Sequence, residues 1–119
     1  MTRPPIDHRL VAYGTLQPGE SNHHVVEPLG GSWTEVRVRG HVGTSKWREY
    51  QGLPAFTPDP SAEPISVSLL ETENLVDAWD DLDAFEGPGY RRIEIEMWDE
   101  SGTSLGTAWI YQALNPDPI

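Results

Sequence analysis

The sequence contains no cysteine and few positive charges, and both shortages narrow the classes of function. Without cysteine, the chain has no disulfide framework, no thiolate metal site and no thiol nucleophile. Eight lysines and arginines stand against nineteen aspartates and glutamates, so the formal net charge is −11. Because such a surface repels phosphate backbones and anionic lipid headgroups, we expect neither nucleic acid nor a membrane as a partner.

Long hydrophobic segments are also missing. No window approaches the roughly 20 apolar residues of a membrane span, and residues 1–10 lack the apolar core of a secretory signal. These absences favour a cytoplasmic protein. The length of 119 residues, with 37% hydrophobic, predicts one domain over residues 1–119 with a packed interior.

Several catalytic motifs are absent as well. The sequence has no Gly-x-Ser-x-Gly elbow, no Gly-x-Gly-x-x-Gly after a strand and no P-loop. His23 and His24 are adjacent, so on a helix their side chains diverge by roughly 100°. The aspartates within 77–83 lack calcium-loop spacing, and an exposed acidic helix face explains them better. We therefore expect no bound metal.

Short segments with strand periodicity make up most of the sequence. Strands are predicted at 8–16, at 32–42, around Ala55 and Phe56, at 65–71, and in a hairpin over 91–114 that turns at Ser101 and Gly102. A short helix is predicted within 23–31. This order predicts an α+β fold with a mostly antiparallel sheet or barrel.

The segment 72–85 has helical rather than strand periodicity. Its apolar residues recur at intervals of three and four and form one stripe: Leu75, Val76, Trp79, Leu82 and Phe85. Thr72 is a suitable N-cap. The residues Gly-Pro-Gly at 87–89 end the helix, because proline cannot continue it and glycine accepts positive φ.

The first candidate site is Tyr-Gly-Thr-Leu at 13–16, where the predicted buried strand stops at Gly14. Backbone amides released from the strand can bind a carboxylate or an oxyanion, and glycine lets a ligand come close. A plain strand-ending turn is the alternative and, for this feature alone, the commoner one.

The second candidate is Glu86, which directly follows Phe85 of the apolar stripe. A carboxylate with apolar neighbours has a raised pKa and can exchange protons near neutrality. A negative charge at a helix C-terminus is also unfavourable to the helix dipole. The alternative is a helix-terminal glutamate that is solvated or paired with Arg91 or Arg92.

In combination, these features resemble the γ-glutamylcyclotransferase-like superfamily. Its members pair a YG[ST]L loop with a later LDxxEGxxYxR segment, and this chain reads VAYGTL at 11–16 and LDAFEGPGYRR at 82–92. SNHH at 21–24, GLPA at 52–55 and AWIY at 108–111 are also similar to the family. The resemblance spans nearly the whole chain.

The resemblance implies a small mixed, mostly antiparallel β-barrel flanked by one main helix and a short helix. It also implies a cyclotransferase that releases 5-oxoproline and a free amine from a γ-glutamyl amine or amide. Glu86 would be the general base and acid. The backbone of Tyr13, Gly14, Thr15 and Leu16 would hold the glutamyl end, and Tyr90 and Tyr111 would line the cavity. Because the nucleophile belongs to the substrate, no cofactor is expected.

The leaving amine stays open at this stage. Trp47 and Tyr50 lie in a segment that would shape that end of the pocket, and the net charge hints at a cationic amine. The alternative function is a non-catalytic small-ligand-binding or interaction module with the same fold. The sequence leaves the oligomeric state, monomer or homodimer, equally open.

Overall fold

Six strands and one short α-helix form the fold in the computed structural model, which describes residues 5–44 and 54–114. The strands are β1 (Arg9–Ala12), β2 (Ser32–Thr44), β3 (Pro54–Pro58), β4 (Pro64–Glu71), β5 (Tyr90–Trp98) and β6 (Ser104–Ala113). The helix α1 covers Trp79–Glu86, and 3₁₀ turns lie at Ile6–His8, His23–Val25, Glu27–Leu29 and Glu73–Asp77.

In these described ranges, no helix is long and apolar enough to cross a membrane. The predicted contacts of Trp47 and Tyr50 lie outside the described residues.

Five of the strands close into a barrel. They follow the order β2-β4-β1-β6-β5, and β5 returns to β2 where Trp98 pairs with Arg37. β3 extends the sheet as an extra strand beside β2. β1 and β6 run parallel, whereas the other pairs of described strands are antiparallel. The architecture confirms the predicted α+β class and the mixed, mostly antiparallel barrel.

The hairpin of β5 and β6 turns where the sequence predicts. Asp99 Oδ1 accepts hydrogen bonds from the N–H groups of Ser101 and Thr103, at 2.9 and 3.0 Å. Gly102 takes a φ of +88°, which glycine adopts without steric cost. The hairpin places Tyr90 and Tyr111 at the end of the barrel where β1 also stops.

Alternation along the strands creates two apolar clusters on opposite faces of the sheet. The barrel-interior cluster contains Val11, Val36, Val38, Phe56, Val67, Leu69, Met97, Ala108 and Ile110. The outer-face cluster contains Leu10, Ala12, Leu16, Val26, Leu70, Leu75, Trp79, Leu82 and Tyr111. Neighbours such as Leu10 and Val11 fall in different clusters, because successive side chains of a strand point to opposite faces.

The predicted helix over 72–85 divides into two pieces. A 3₁₀ turn over Glu73–Asp77 precedes α1, and Thr72 caps the turn by accepting the Asn74 N–H at 3.2 Å. The apolar stripe is confirmed for Leu75, Trp79 and Leu82, which are buried. It is wrong for Val76 and Phe85, which are 51% and 43% exposed.

The division of the helix explains those exposed positions. A 3₁₀ turn has three residues per turn, so Val76 rotates away from the face that buries Leu75. Phe85 lies in the last turn of α1, beyond the outer-face cluster. The helix predicted within 23–31 is likewise two 3₁₀ turns, because Pro28 and Gly30 prevent a longer one.

Candidate active site

The segment Tyr13–Leu16 leaves the end of β1 and is held in place by its neighbours. The Tyr13 hydroxyl donates a hydrogen bond to the Tyr111 carbonyl at 2.6 Å and accepts one from the Phe56 N–H at 3.3 Å. A Cβ at Gly14 would lie 3.0 Å from Pro54 Cγ, so only glycine fits there comfortably. The segment is therefore fixed against β3 and β6.

The backbone amides of this segment are available to a ligand. Within the described residues, the N–H groups of Gly14, Thr15 and Leu16 donate no hydrogen bond. Thr15 Oγ1 accepts from Asn22 Nδ2 at 3.0 Å, so its own proton stays available for donation. Consecutive amides of this kind are suited to a carboxylate or an oxyanion.

Glu86 is the last residue of α1, and its carboxyl group lies in partly buried surroundings. Gly87 follows with a φ of +78°, which turns the chain away from the site. Burial raises the pKa of Glu86 to about 7, because the charged form is poorly hydrated. Across the ranges 5–44 and 54–114, no side chain forms a hydrogen bond or ion pair with this carboxyl group.

The alternative interpretation of Glu86 is that it pairs with an arginine, but Arg92 does not pair with it. The Arg92 guanidinium binds Asp83 instead, with Nε 3.0 Å from Oδ1 and Nη2 3.3 Å from Oδ2. Arg91 is exposed on β5. Asp83 and Glu86 of one short helix thus have different environments, and Glu86, which has no partner among the described side chains, lies at the cavity.

One cavity of about 130 Å³ joins these elements. Its walls come from the end of β1, the following loop, β3, the end of α1 and the β5–β6 hairpin: Val11, Ala12, Tyr13, Gly14, Thr15, Leu16, Asn22, Pro54, Phe85, Glu86, Tyr90 and Tyr111. All seven candidate site residues of the sequence line this cavity. Their roles in binding or catalysis stay predictions.

Five further lining residues were not named as site residues from the sequence: Val11, Ala12, Asn22, Pro54 and Phe85. Val11 and Ala12 belong to the VAYGTL segment that carries the resemblance. Asn22 lies within the SNHH segment and Pro54 within the GLPA segment, so the resemblance contains a signal for both. Phe85 was assigned to the helix stripe, because periodicity cannot distinguish a core position from a cavity wall.

The cavity tyrosines contribute mainly their rings. Their hydroxyl protons are donated to the protein, by Tyr13 to the Tyr111 carbonyl, by Tyr90 to the Pro54 carbonyl at 2.8 Å and by Tyr111 to Asp83 at 2.7 Å. Burial raises the pKa of Tyr13 and of Tyr111, so both stay neutral. Among the described lining residues, the polar groups left for a ligand are the 14–16 amides, Thr15, Asn22 and Glu86.

Among the described residues, the cavity lining includes no positive side chain. None of its described residues is lysine, arginine or histidine, so an anionic ligand group would depend on backbone amides. In the same part of the chain, no three histidine, aspartate or glutamate side chains lie close enough together to hold a metal ion. The described lining thus combines residues 14–16, whose amides have no described partner, with the Glu86 carboxyl group, whose pKa is raised to about 7.

Comparison with known proteins places these features in a family context. Residues 10–118 match a family model described as gamma-glutamyl cyclotransferase, AIG2-like. No curated protein matches the sequence. Among solved structures, an AIG2-like protein from Mus musculus has 20% identity and a TM-score of 0.63, over 89% of this chain and 76% of that one.

Two other solved structures are similar over most of the chain. A solution structure from Arabidopsis thaliana has 19% identity and a TM-score of 0.65, over 93% of this chain and 71% of its own. A protein specific to uropathogenic Escherichia coli has 17% identity and a TM-score of 0.65, over 91% of this chain and 80% of its own. At such identities, the likeness shows a shared fold.

Proposed function

Because the chain belongs to the AIG2-like gamma-glutamyl cyclotransferase family, we propose that it is a cyclotransferase for a γ-glutamyl amine or amide. The substrate's own α-amine attacks the γ-carbonyl carbon and closes a five-membered ring. The bond from that carbon to the leaving amine then breaks. The products are 5-oxoproline and the free amine.

Glu86 performs the proton transfers of this reaction. Its carboxylate takes a proton from the attacking α-amine and returns it to the nitrogen of the leaving amine, so no net proton is consumed. The observation that carries the proposal is that Glu86, whose carboxyl group pairs with no described side chain and has a pKa of about 7, lines one cavity with residues 14–16. A catalytic group with a pKa close to the working pH can both accept and donate a proton.

The amides of Gly14, Thr15 and Leu16 bind the glutamyl end. Their donors are suited to its α-carboxylate or to the oxyanion that develops on the γ-carbonyl oxygen. The three tyrosine rings and Phe85 shield the reacting atoms from water. Since an oriented intramolecular attack has a large effective molarity, the site needs little more than orientation and a proton carrier.

The direct test is a panel of γ-glutamyl amines and γ-glutamyl dipeptides with detection of 5-oxoproline. We expect the wild-type protein to release it and Glu86→Gln to lose roughly 10²- to 10⁴-fold in kcat, the usual contribution of general acid–base catalysis. Glu94→Gln is the matched control, because Glu94 is exposed on β5. Normal turnover by Glu86→Gln would refute the role of Glu86, whereas binding without release would identify a small-ligand-binding module.

A further inference from the structure

Asp83 lies one helical turn before Glu86 and is the most connected carboxyl group near the cavity. Its Oδ1 accepts from the Tyr111 hydroxyl at 2.7 Å and from Arg92 Nε at 3.0 Å. Its Oδ2 accepts from Arg92 Nη2 at 3.3 Å. Asp83 therefore ties α1 to both strands of the β5–β6 hairpin.

Within the ranges 5–44 and 54–114, the last turn of α1 has no other comparable anchor. The helix has eight residues, and its buried side chains, Trp79 and Leu82, come before Asp83. After Asp83, Phe85 is 43% exposed, and Glu86 binds no described side chain. Since a helix this short is marginal by itself, its final turn depends on tertiary contacts to keep one position.

The partners of Asp83 are themselves held firmly. The Arg92 guanidinium lies between two indole rings, 4.4 Å from the centroid of Trp79 and 4.7 Å from that of Trp109. Such stacking fixes the plane in which a guanidinium presents its paired N–H donors. Asp83 therefore binds a guanidinium group that is held in one position, rather than a mobile charged side chain on the surface.

Tyr111 connects this anchor to the opposite wall of the cavity. Its hydroxyl donates to Asp83, while its backbone carbonyl accepts from the Tyr13 hydroxyl at 2.6 Å. Tyr13 begins the segment 13–16, which lines the cavity. One line of hydrogen bonds therefore runs from the helix that carries Glu86 to the loop that lies across from it.

We propose that Asp83 is a positioning residue for Glu86, holding the last turn of α1 at a fixed distance from the Tyr13–Leu16 loop through Tyr111 and Arg92. This inference rests on the proposed function for its kinetic consequence. Asp83 does not line the cavity and does not take part in proton transfer. It acts through geometry, because small displacements of a catalytic group cost large factors in rate.

Asp83→Asn is the variant that cuts this anchor with the smallest change of shape. An amide keeps one acceptor oxygen but presents an NH₂ group where Arg92 Nη2 or the Tyr111 hydroxyl now donates. Asp81→Asn is the matched control, because Asp81 is exposed on the same helix and makes no hydrogen bond to a described residue. Both variants remove one negative charge from α1.

The kinetic readout is the division of the effect between kcat and KM. We expect Asp83→Asn to lower kcat about 10- to 100-fold with KM within about twofold of wild type, because the amides that bind the substrate stay in place. Asp81→Asn should leave both constants unchanged. A wild-type kcat in Asp83→Asn, or a loss seen only in KM, would overturn the proposal.

Tyr111→Phe provides a second variant that retains the buried ring and removes one donor to Asp83. If both residues act through the same contact, the loss of kcat in the double variant should be smaller than the product of the two single losses. Independent, multiplicative losses would contradict a shared anchor. Thermal unfolding of each variant, followed by circular dichroism, verifies that the folded state is being assayed.

A readout independent of turnover separates this inference from the proposed function. The Gly87 N–H donates to the Asp83 carbonyl at 3.0 Å and closes the last turn of α1. Its hydrogen exchange should quicken at least several-fold in Asp83→Asn and not in Asp81→Asn. If the wild type releases no 5-oxoproline, the proposed function fails while this measurement still tests the anchor, and an unchanged exchange rate would refute it.

Discussion

The two faces of the barrel sheet differ in how completely they are filled. The barrel-interior cluster consists of nine buried apolar residues. The outer-face cluster is also apolar through most of its extent, but beside Leu16 and Tyr111 it opens into the cavity that contains Glu86. The barrel-interior cluster meets the cavity only at Val11, whereas the outer-face cluster meets it at Ala12, Leu16 and Tyr111, among the described residues.

The difference shows how one small sheet can combine a packed interior with a cavity at its end. Burying apolar surface stabilises the fold, while a carboxyl group without a partner in partly buried surroundings weakens it once it is charged. Functional sites commonly carry such local costs, which the rest of the structure must offset. In this protein, β1 contributes Val11 and Ala12 to the cavity from opposite faces, and the outer-face cluster provides the larger share of the described lining.

The largest expected effect on stability concerns the barrel interior. Met97 is fully buried there, and Met97→Ala should lower the free energy of unfolding by about 2–5 kcal/mol, because a cavity replaces its contacts. Urea denaturation measures the change. Met97→Leu nearly conserves volume and should cost less than about 1.5 kcal/mol. Because Met97 does not line the cavity, kcat per folded molecule should stay at the wild-type value in both variants.

The next prediction concerns the acid limb of activity. Glu86 must be deprotonated to accept the proton of the α-amine, and its pKa is raised to about 7 by burial. We expect kcat/KM to fall about tenfold per pH unit below that value, about 100-fold over two units. A limb located near the ordinary glutamate pKa of about 4.3 would show that the cavity does not perturb Glu86.

A smaller effect links the same carboxyl group to stability. The pKa of Glu86 is raised from 4.5 to about 7 in the folded state, so folding favours the protonated form. The associated stabilisation is present below about pH 4.5 and is lost as the pH rises through about 7. Glu86→Gln, which cannot ionise, should therefore match the wild type near pH 4 and exceed it near pH 8 by roughly 1–3 kcal/mol.

Chemical denaturation at several pH values tests this prediction. Glu94→Gln is the control, because its exposed carboxyl group should give no such pH-dependent difference from wild type. A Glu86→Gln variant that is less stable than the wild type at pH 8 would contradict the absence of a stabilising partner for Glu86. That result would mean that the Glu86 carboxylate makes a favourable interaction on the cavity face.

The smallest expected effect concerns Val76, which the predicted helical stripe places on the same apolar face as Leu75. Val76→Ala should change the free energy of unfolding by less than about 0.5 kcal/mol, because Val76 is 51% exposed. Leu75→Ala, at a fully buried position, should cost about 2–5 kcal/mol. Equal costs in urea denaturation would mean that both side chains are buried in solution, as an uninterrupted helix over 72–85 would require.

Much of the fold was predictable because its local signals agree with one another. Alternation around Val36 and Val38 predicted the buried face of β2, and Ser101-Gly102 predicted the hairpin turn. The family resemblance, carried by the segments 11–16 and 82–92, is confirmed by the match over residues 10–118. What failed was a continuous helix through Ala78, because tertiary packing of Leu75 and Trp79 is compatible with a 3₁₀ turn followed by a short α-helix.

The candidate site was predictable as a set of residues but not as an environment. The sequence identified Glu86 and the Tyr13–Leu16 segment, whereas Asn22 and Phe85 emerged as lining residues only in three dimensions. The motif at 82–92 also contains Asp83 and Arg92, but the sequence alone did not show what these two residues do near Glu86. The pairing of Asp83 with Arg92 and Tyr111 needs β5 and β6 to lie beside α1.

The sequence by itself determined the class of chemistry that is open to this protein. Without cysteine or a metal-ligand cluster, and with a buried strand that stops at Gly14 and a glutamate placed at a helix end, it favoured proton transfer beside free amides. Only the tertiary structure decided which carboxyl group of α1 faces the cavity. Asp83 reaches three donors on the hairpin and Glu86 reaches none, because their side chains leave the helix in different directions and meet different surroundings.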